Sequence, residues 1–130
     1  MTRRYALDHM ALLVRDVERS VAFYRNVLGL EEVDRKAGSA NVRWMALGNG
    51  DTIHLIERDF GATHVTKDTH LALSTPDFDA LVADLTGKGI AFEDWLGARG
   101  QVYLHRNGFR QIYLQDPDGY WIEVNDRVDG

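Results

Sequence analysis

The sequence predicts an α+β fold in which one strand–helix–strand–strand–strand module is used twice. Residues His70-Leu71-Ala72-Leu73 echo His9-Met10-Ala11-Leu12 at an offset of 61 (70 − 9), and Asp77, Val82 and Ala83 fall on Asp16, Val21 and Ala22 at the same offset. Ile53-His54 corresponds to Ile122-Glu123, and Gly50 to Gly119, at an offset of 69 (123 − 54). Each half also passes from period-two alternation to helical spacing of its apolar residues. The 130 residues are therefore expected to form a single domain, 1–130. It would hold a module over about 1–60, a connector over 58–67 and a second module over about 68–130.

Tyr5 to Val14 reads as the first strand, with Leu7, His9, Ala11 and Leu13 on one face and Asp8, Met10, Leu12 and Val14 on the other. Asp16 suits a helix N-cap, because its carboxylate can accept from the free amides of the first turn. Val17, Val21, Tyr24 and Leu28 follow at helical spacing, and Gly29 ends the helix. Strands are expected near Glu31–Lys36, Val42–Leu47 and Thr52–Glu57, the last two separated by the Gly48-Asn49-Gly50-Asp51 turn. In the second half Phe78, Leu81, Val82 and Leu85 form the helix stripe, with Gly87 and Gly89 at its end. Further strands are expected near Ala91–Trp95, Val102–Arg106, Arg110–Gln115 and Tyr120–Asn125. The eight extra residues of this half (69 − 61) fit best between Gly97 and Gly108. Asp116-Pro117-Asp118-Gly119 makes a hairpin turn, Pro117 presetting φ and Gly119 relaxing the exit.

At 45% hydrophobic, the chain can bury a real core, while a net charge of −5 and a pI near 5.4 argue against nucleic acid and anionic membrane as partners. The Arg3-Arg4 pair precedes only a short apolar stretch broken by Asp8 and His9, so no signal peptide or membrane span is expected. Cysteine is absent, which excludes disulfides and thiolate chemistry and makes a cytoplasmic location the expectation.

Among five histidines, three share a setting with Glu123. His9, His54, His70 and Glu123 each sit within a strand beside an apolar residue, and the repeat equates His9 with His70 and His54 with Glu123. A histidine in a strand is ordinarily a hydrogen-bonded core or surface residue, and a lone glutamate can face water. The joint pattern is what points to a shared divalent cation, since coordination would offset the cost of burying a carboxylate. His64 and His105 fall in loop or hairpin segments without repeat partners and are left out. Imidazole and carboxylate donors suit Zn²⁺, Ni²⁺, Co²⁺, Mn²⁺ or Fe²⁺. Four protein ligands on an octahedral ion leave two adjacent positions for a substrate with vicinal oxygens, polarised as by a Lewis acid. Because ligating histidine must be neutral, metal affinity should fall as pH drops through roughly 6.

The stretches Leu7-Asp8-His9, Asp16 to Tyr24, Val27 to Leu30, Thr69 to Leu73, and Asp116 to Glu123 together resemble the vicinal oxygen chelate superfamily. That superfamily includes glyoxalase I, extradiol dioxygenases and the bleomycin- and fosfomycin-resistance proteins, and the similarity spans nearly the whole chain. The resemblance implies two βαβββ modules forming an eight-stranded, U-shaped mixed sheet around a metal ion, with His9, His70 and Glu123 at positions of widespread ligands. His54 stands where glyoxalase I has a glutamate, which leaves Glu123 as the proton carrier. A homodimer is the expected assembly.

The leading expectation is a glyoxalase-I-like lyase or isomerase acting on a small substrate, such as the thiol hemithioacetal of an α-oxoaldehyde, through an enediolate, with Glu123 as base. A second enzyme reading is an extradiol-type dioxygenase with Fe²⁺ on His9, His70 and Glu123 and His54 as an acid or base beside the substrate. A third is a small-molecule binding or resistance protein without catalysis. Trp44, Tyr103, Tyr113 and Trp121 are candidate pocket aromatics, with core packing the expected fate of most. Arg43 and Arg110 are candidates for an anionic group, with solvated strand faces the plainer expectation.

Overall fold

Asp16 starts the first helix as its side chain predicts: its backbone is extended (φ −144°, ψ 104°) and its carboxylate accepts from the Arg19 amide at 3.1 Å. Glu57 Oε1 takes the Val17 amide at 2.9 Å, so two carboxylates satisfy donors that no carbonyl inside the helix can reach. This helix is α1, Val17–Asn26, and it buries Val17, Val21 and Tyr24. Gly29, at φ +73°, turns the chain so that the Leu30 amide reaches the Tyr24 carbonyl at 3.0 Å.

The computed structural model describes residues 2–33 and 40–127. It divides into two units, Met1–Thr63 and His64–Gly130. In the first, β1 (His9–Val14), β2 (Glu31–Val33), β3 (Val42–Ala46) and β4 (Thr52–Glu57) form a sheet of order β1-β4-β3-β2. β1 runs parallel to β4 and the other pairs are antiparallel. α1 packs on this sheet, over a face built from Leu12, Val14, Met45, Ile53 and Leu55, all buried.

The second unit repeats the plan. It has β5 (His70–Ser74), α2 (Phe78–Gly87), β6 (Tyr103–Leu104), β7 (Arg110–Gln115) and β8 (Trp121–Asn125), with sheet order β5-β8-β7-β6. Again the first strand is parallel to the last, and the others are antiparallel. Ile112, Leu114, Ile122 and Val124 are buried on one face, and α2 contributes the buried Phe78 and Leu85. Its flanking Asp77 makes no side-chain cap bond, so the positional match with Asp16 does not carry the capping geometry with it.

Three expectations need correction. The first strand begins at His9, not Tyr5, because β4 begins at Thr52, the partner of His9, and offers nothing to residues before it. Tyr5 and Leu7 lie exposed. The segment Ala91–Trp95 is no strand: Glu93 alone bridges, to Tyr113 and Arg99, before the chain turns at Asp94. The strand expected at Val102–Arg106 shrinks to Tyr103–Leu104, since His105 already opens the hairpin turn, its carbonyl accepting the Gly108 amide at 2.8 Å. For the strand expected at Glu31–Lys36, residues 34–36 lie outside the described residues.

The repeat itself is borne out by register. His54 pairs with Trp44 as Glu123 pairs with Tyr113, so the offset is 69 (123 − 54) by β7. It is still 61 at the helix starts (78 − 17), which puts the extra residues between α2 and β7. The hairpin turn holds as read: the Gly119 amide reaches the Asp116 carbonyl at 3.0 Å, and Asp116 Oδ1 accepts the amides of Asp118 and Tyr120 at 2.9 and 3.0 Å. Among the described residues no helix is long and apolar enough to cross a membrane.

Candidate functional site

Strand alternation puts Ile112, Leu114, Ile122 and Val124 on one face and Tyr113, Trp121, Glu123 and Asn125 on the other. There Glu123 is buried, 6% exposed, a burial that demands partners for both carboxylate oxygens. Oε1 accepts the Tyr113 hydroxyl at 2.9 Å and lies 3.2 Å from His70 Nε2. Oε2 accepts the Asn125 side-chain amide at 2.6 Å. These neutral donors meet part of the burial cost that the sequence reading assigned to a cation alone. Tyr113 in turn has its phenol pKa pushed up, first by burial and then by the hydrogen bond to Glu123, so it stays a proton donor well beyond the ordinary tyrosine range.

His70 is fixed from its other side. Nδ1 lies 2.8 Å from the Lys67 carbonyl, which can only accept, so Nδ1 carries a proton and Nε2 is the nitrogen turned toward Glu123. The ring meets Tyr113 edge-on at 5.4 Å and Trp95 at 6.2 Å. Lys67 Nζ ion-pairs with Glu93 at 2.6 Å and donates to the Asp94 carbonyl at 2.8 Å. It also stands 4.9 to 5.5 Å from the ring centroids of Trp121, Tyr113 and Trp95.

The first unit carries the matching trio on β1, β4 and β3. His9 stacks on His54 at 4.0 Å with planes 12° apart, and His54 stacks on Trp44 at 4.1 Å with planes 5° apart. His9 Nδ1 pairs with Asp8 Oδ2 at 2.7 Å, and His54 Nε2 lies 2.9 Å from Thr52 Oγ1. Imidazole lone pairs lie in the ring plane. In near-parallel planes 4.0 Å apart, one ion about 2 Å from each nitrogen cannot lie in both. As stacked, one of the two imidazoles can serve a given ion, and the second joins only if a ring turns.

The structure thus brings together His70 with Glu123 and His9 with His54, and within each unit, among the described residues, no group of three His, Asp or Glu side chains forms a metal cage. In donor chemistry the His70–Glu123 pair fits a divalent ion: one oriented imidazole nitrogen beside one carboxylate, with the partner nitrogen braced by a carbonyl. Sequence reasoning missed Asn125 and Lys67. Asn125 was findable, since it stands two residues from Glu123 on the same strand face. Lys67 was not, because its position depends on the path of the connector. Of the four aromatics, only Tyr113 is buried, and Trp44, Tyr103 and Trp121 are half-buried.

Arg43 and Arg110 lie in strands but face carboxylates. Arg43 forks onto Glu32 and reaches Glu18, and Arg110 bridges Asp79 and Asp126. Both guanidinium pKa values are pushed further up, for Arg43 chiefly by Glu32 and for Arg110 chiefly by Asp79. Their charge is committed to holding elements together. His105 stacks on Phe109 in the β6–β7 hairpin.

Residues 6–124 match the profile of the Glyoxalase/Bleomycin resistance protein/Dioxygenase superfamily, and the chain belongs to that superfamily. It is 31% identical to the uncharacterized Bacillus subtilis protein YwbC, over 93% of this chain and 97% of that one. It is 26% identical to a lactoylglutathione lyase of Pseudomonas putida, over 95% of this chain and 86% of the lyase. Among solved structures, a lactoylglutathione lyase from Agrobacterium tumefaciens shares the fold, with a TM-score of 0.72 and 21% identity over 97% and 96% of the two chains. The paired α+β modules read from the sequence are the modules of this superfamily.

Proposed function

We propose that the chain is a metal-dependent enzyme of the glyoxalase I type, acting on a small substrate with two neighbouring oxygens, such as a thiol hemithioacetal. The observation that carries this reading is Glu123: a buried carboxylate held by Tyr113 and Asn125 with His70 Nε2 at 3.2 Å. His70 and Glu123 would hold the ion. A bound divalent ion supplies charge stabilisation to the substrate's oxygens. Glu123 takes the proton from the carbon beside the carbonyl and returns it to the neighbouring carbon. Tyr113 and Asn125 keep the carboxylate aimed through that exchange, and the Lys67 carbonyl keeps the His70 proton on Nδ1.

Assay of the zinc- or nickel-loaded protein with methylglyoxal and a panel of thiols tests this. Turnover is expected, and Glu123→Gln should lower kcat/KM by about 10²- to 10⁴-fold with the fold intact. No turnover with any thiol would count against the reading.

The stacking of His9 on His54 favours a second reading. It is an extradiol-type dioxygenase using Fe²⁺, which calls on one imidazole of that pair as a ligand and leaves the other as an acid or base. Oxygen uptake with catechols in the presence of Fe²⁺ separates the two, the lyase reading expecting none.

A further inference from the structure

Beside the His70–Glu123 pair stands an indole that is held but not covered. Trp95 lies 5.3 Å from Tyr113 and 6.2 Å from His70, yet it is 37% exposed, and its neighbour Leu96 is 79% exposed. The turn that carries it is closed by local bonds: the Ala98 amide donates to Asp94 Oδ1 at 2.8 Å, and the Gly97 amide to the Asp94 carbonyl at 3.1 Å. Lys67 Nζ fastens the turn, donating to Glu93 Oε2 and to the carbonyls of Asp94 and Trp95 at 2.6, 2.8 and 3.2 Å. An aromatic ring fixed in advance costs little further ordering entropy when something stacks on it. Apolar surface left open beside convergent polar groups is the usual composition of a ligand site.

Lys67, the cation among these rings, is already paired with Glu93, and Arg43 and Arg110 are taken up by carboxylates elsewhere. Lys67 therefore adds no free charge to the platform, while Arg99 of the same turn lies exposed.

We propose that Trp95 is a specificity-determining platform on which an aromatic group of the substrate stacks, while the substrate's paired oxygens lie at His70 and Glu123. The inference rests on the reading of that pair given above and adds the class of substrate: an aryl-bearing vicinal-oxygen compound.

Benzohydroxamate and acetohydroxamate present the same two oxygens and differ in phenyl against methyl. Their dissociation constants are measured by calorimetry on the zinc-loaded full chain. The phenyl probe should bind about tenfold or more tighter, a ratio that Trp95→Ala brings to within about threefold of unity without changing the affinity for acetohydroxamate. Trp95→Leu keeps apolar bulk without the π face and should lose most of the preference, and it serves equally if the alanine variant fails to fold. Equal affinities in the unmodified protein, or a phenyl preference that survives both substitutions, would overturn the platform and leave the metal reading standing. Binding of neither hydroxamate would overturn both.

Discussion

Glu123 shows how a single residue's surroundings decide its chemistry. A strand glutamate among apolar neighbours invites a cation as the explanation, but the structure already supplies a phenol and an amide to its oxygens. Those groups orient the carboxylate without neutralising it, which is what a proton carrier needs. Tyr113→Phe removes one donor from a buried acceptor and should cost about 1–3 kcal/mol of stability. It should also lower kcat more than it raises KM, because the aim of the carboxylate and not substrate affinity is lost. Denaturant unfolding and steady-state kinetics check the two effects, and an unchanged kcat would refute the orienting role. Gly119 is also constrained, with φ +91° and Val65 Cγ2 3.5 Å from where a Cβ would sit. Gly119→Ala should cost about 1–3 kcal/mol through backbone strain, read as a lowered Tm.

Among the elements, the arginines on β3 and β7 do the tying. Arg43 joins β3 to Glu32 of β2 and Glu18 of α1, and Arg110 joins β7 to Asp79 of α2 and to Asp126 just past β8. Asp126 has its carboxyl pKa lowered, first by the Arg110 amide and then by the Arg110 guanidinium. A depressed carboxylate contributes stability above its unfolded pKa, about 3.9, and loses it as pH falls toward the folded value. The Tm gap between the native protein and Asp126→Asn should therefore be full at neutral pH and shrink as pH falls below about 4. A gap that widens in acid would reverse the sign and refute the assignment.

Legibility also varied by element. Both helices were plain in the sequence, since apolar period and flanking Asp and Gly residues agree there, and Asp116–Gly119 was plain because Pro and Gly each demand one backbone geometry. Strand ends were not, because the partner's length sets them: Tyr5 to Asp8 alternate well enough but lie before Thr52 of β4 begins the ladder. Ala91–Trp95 carries strand-like residues, yet Asp94 spends its side chain and backbone on a turn.

At the scale of the whole molecule, the duplication is the organising fact. Each unit sets a histidine on its first strand, a second polar ligand candidate on the central strand paired to it, and an aromatic ring on the strand beyond: His9, His54 and Trp44, then His70, Glu123 and Tyr113. The histidines and Glu123 were readable from offsets in the chain. The stacking of His9 on His54 was not, because register tells which residues share a face but not how two flat rings settle on it.

Metal content per chain, measured by elemental analysis on the purified protein and on His70→Ala and Glu123→Gln, tests the central claim most directly. The account predicts about one divalent ion per unmodified chain and a fall to about a fifth or less in each variant, with helix and strand content unchanged. Full occupancy in both variants would contradict it.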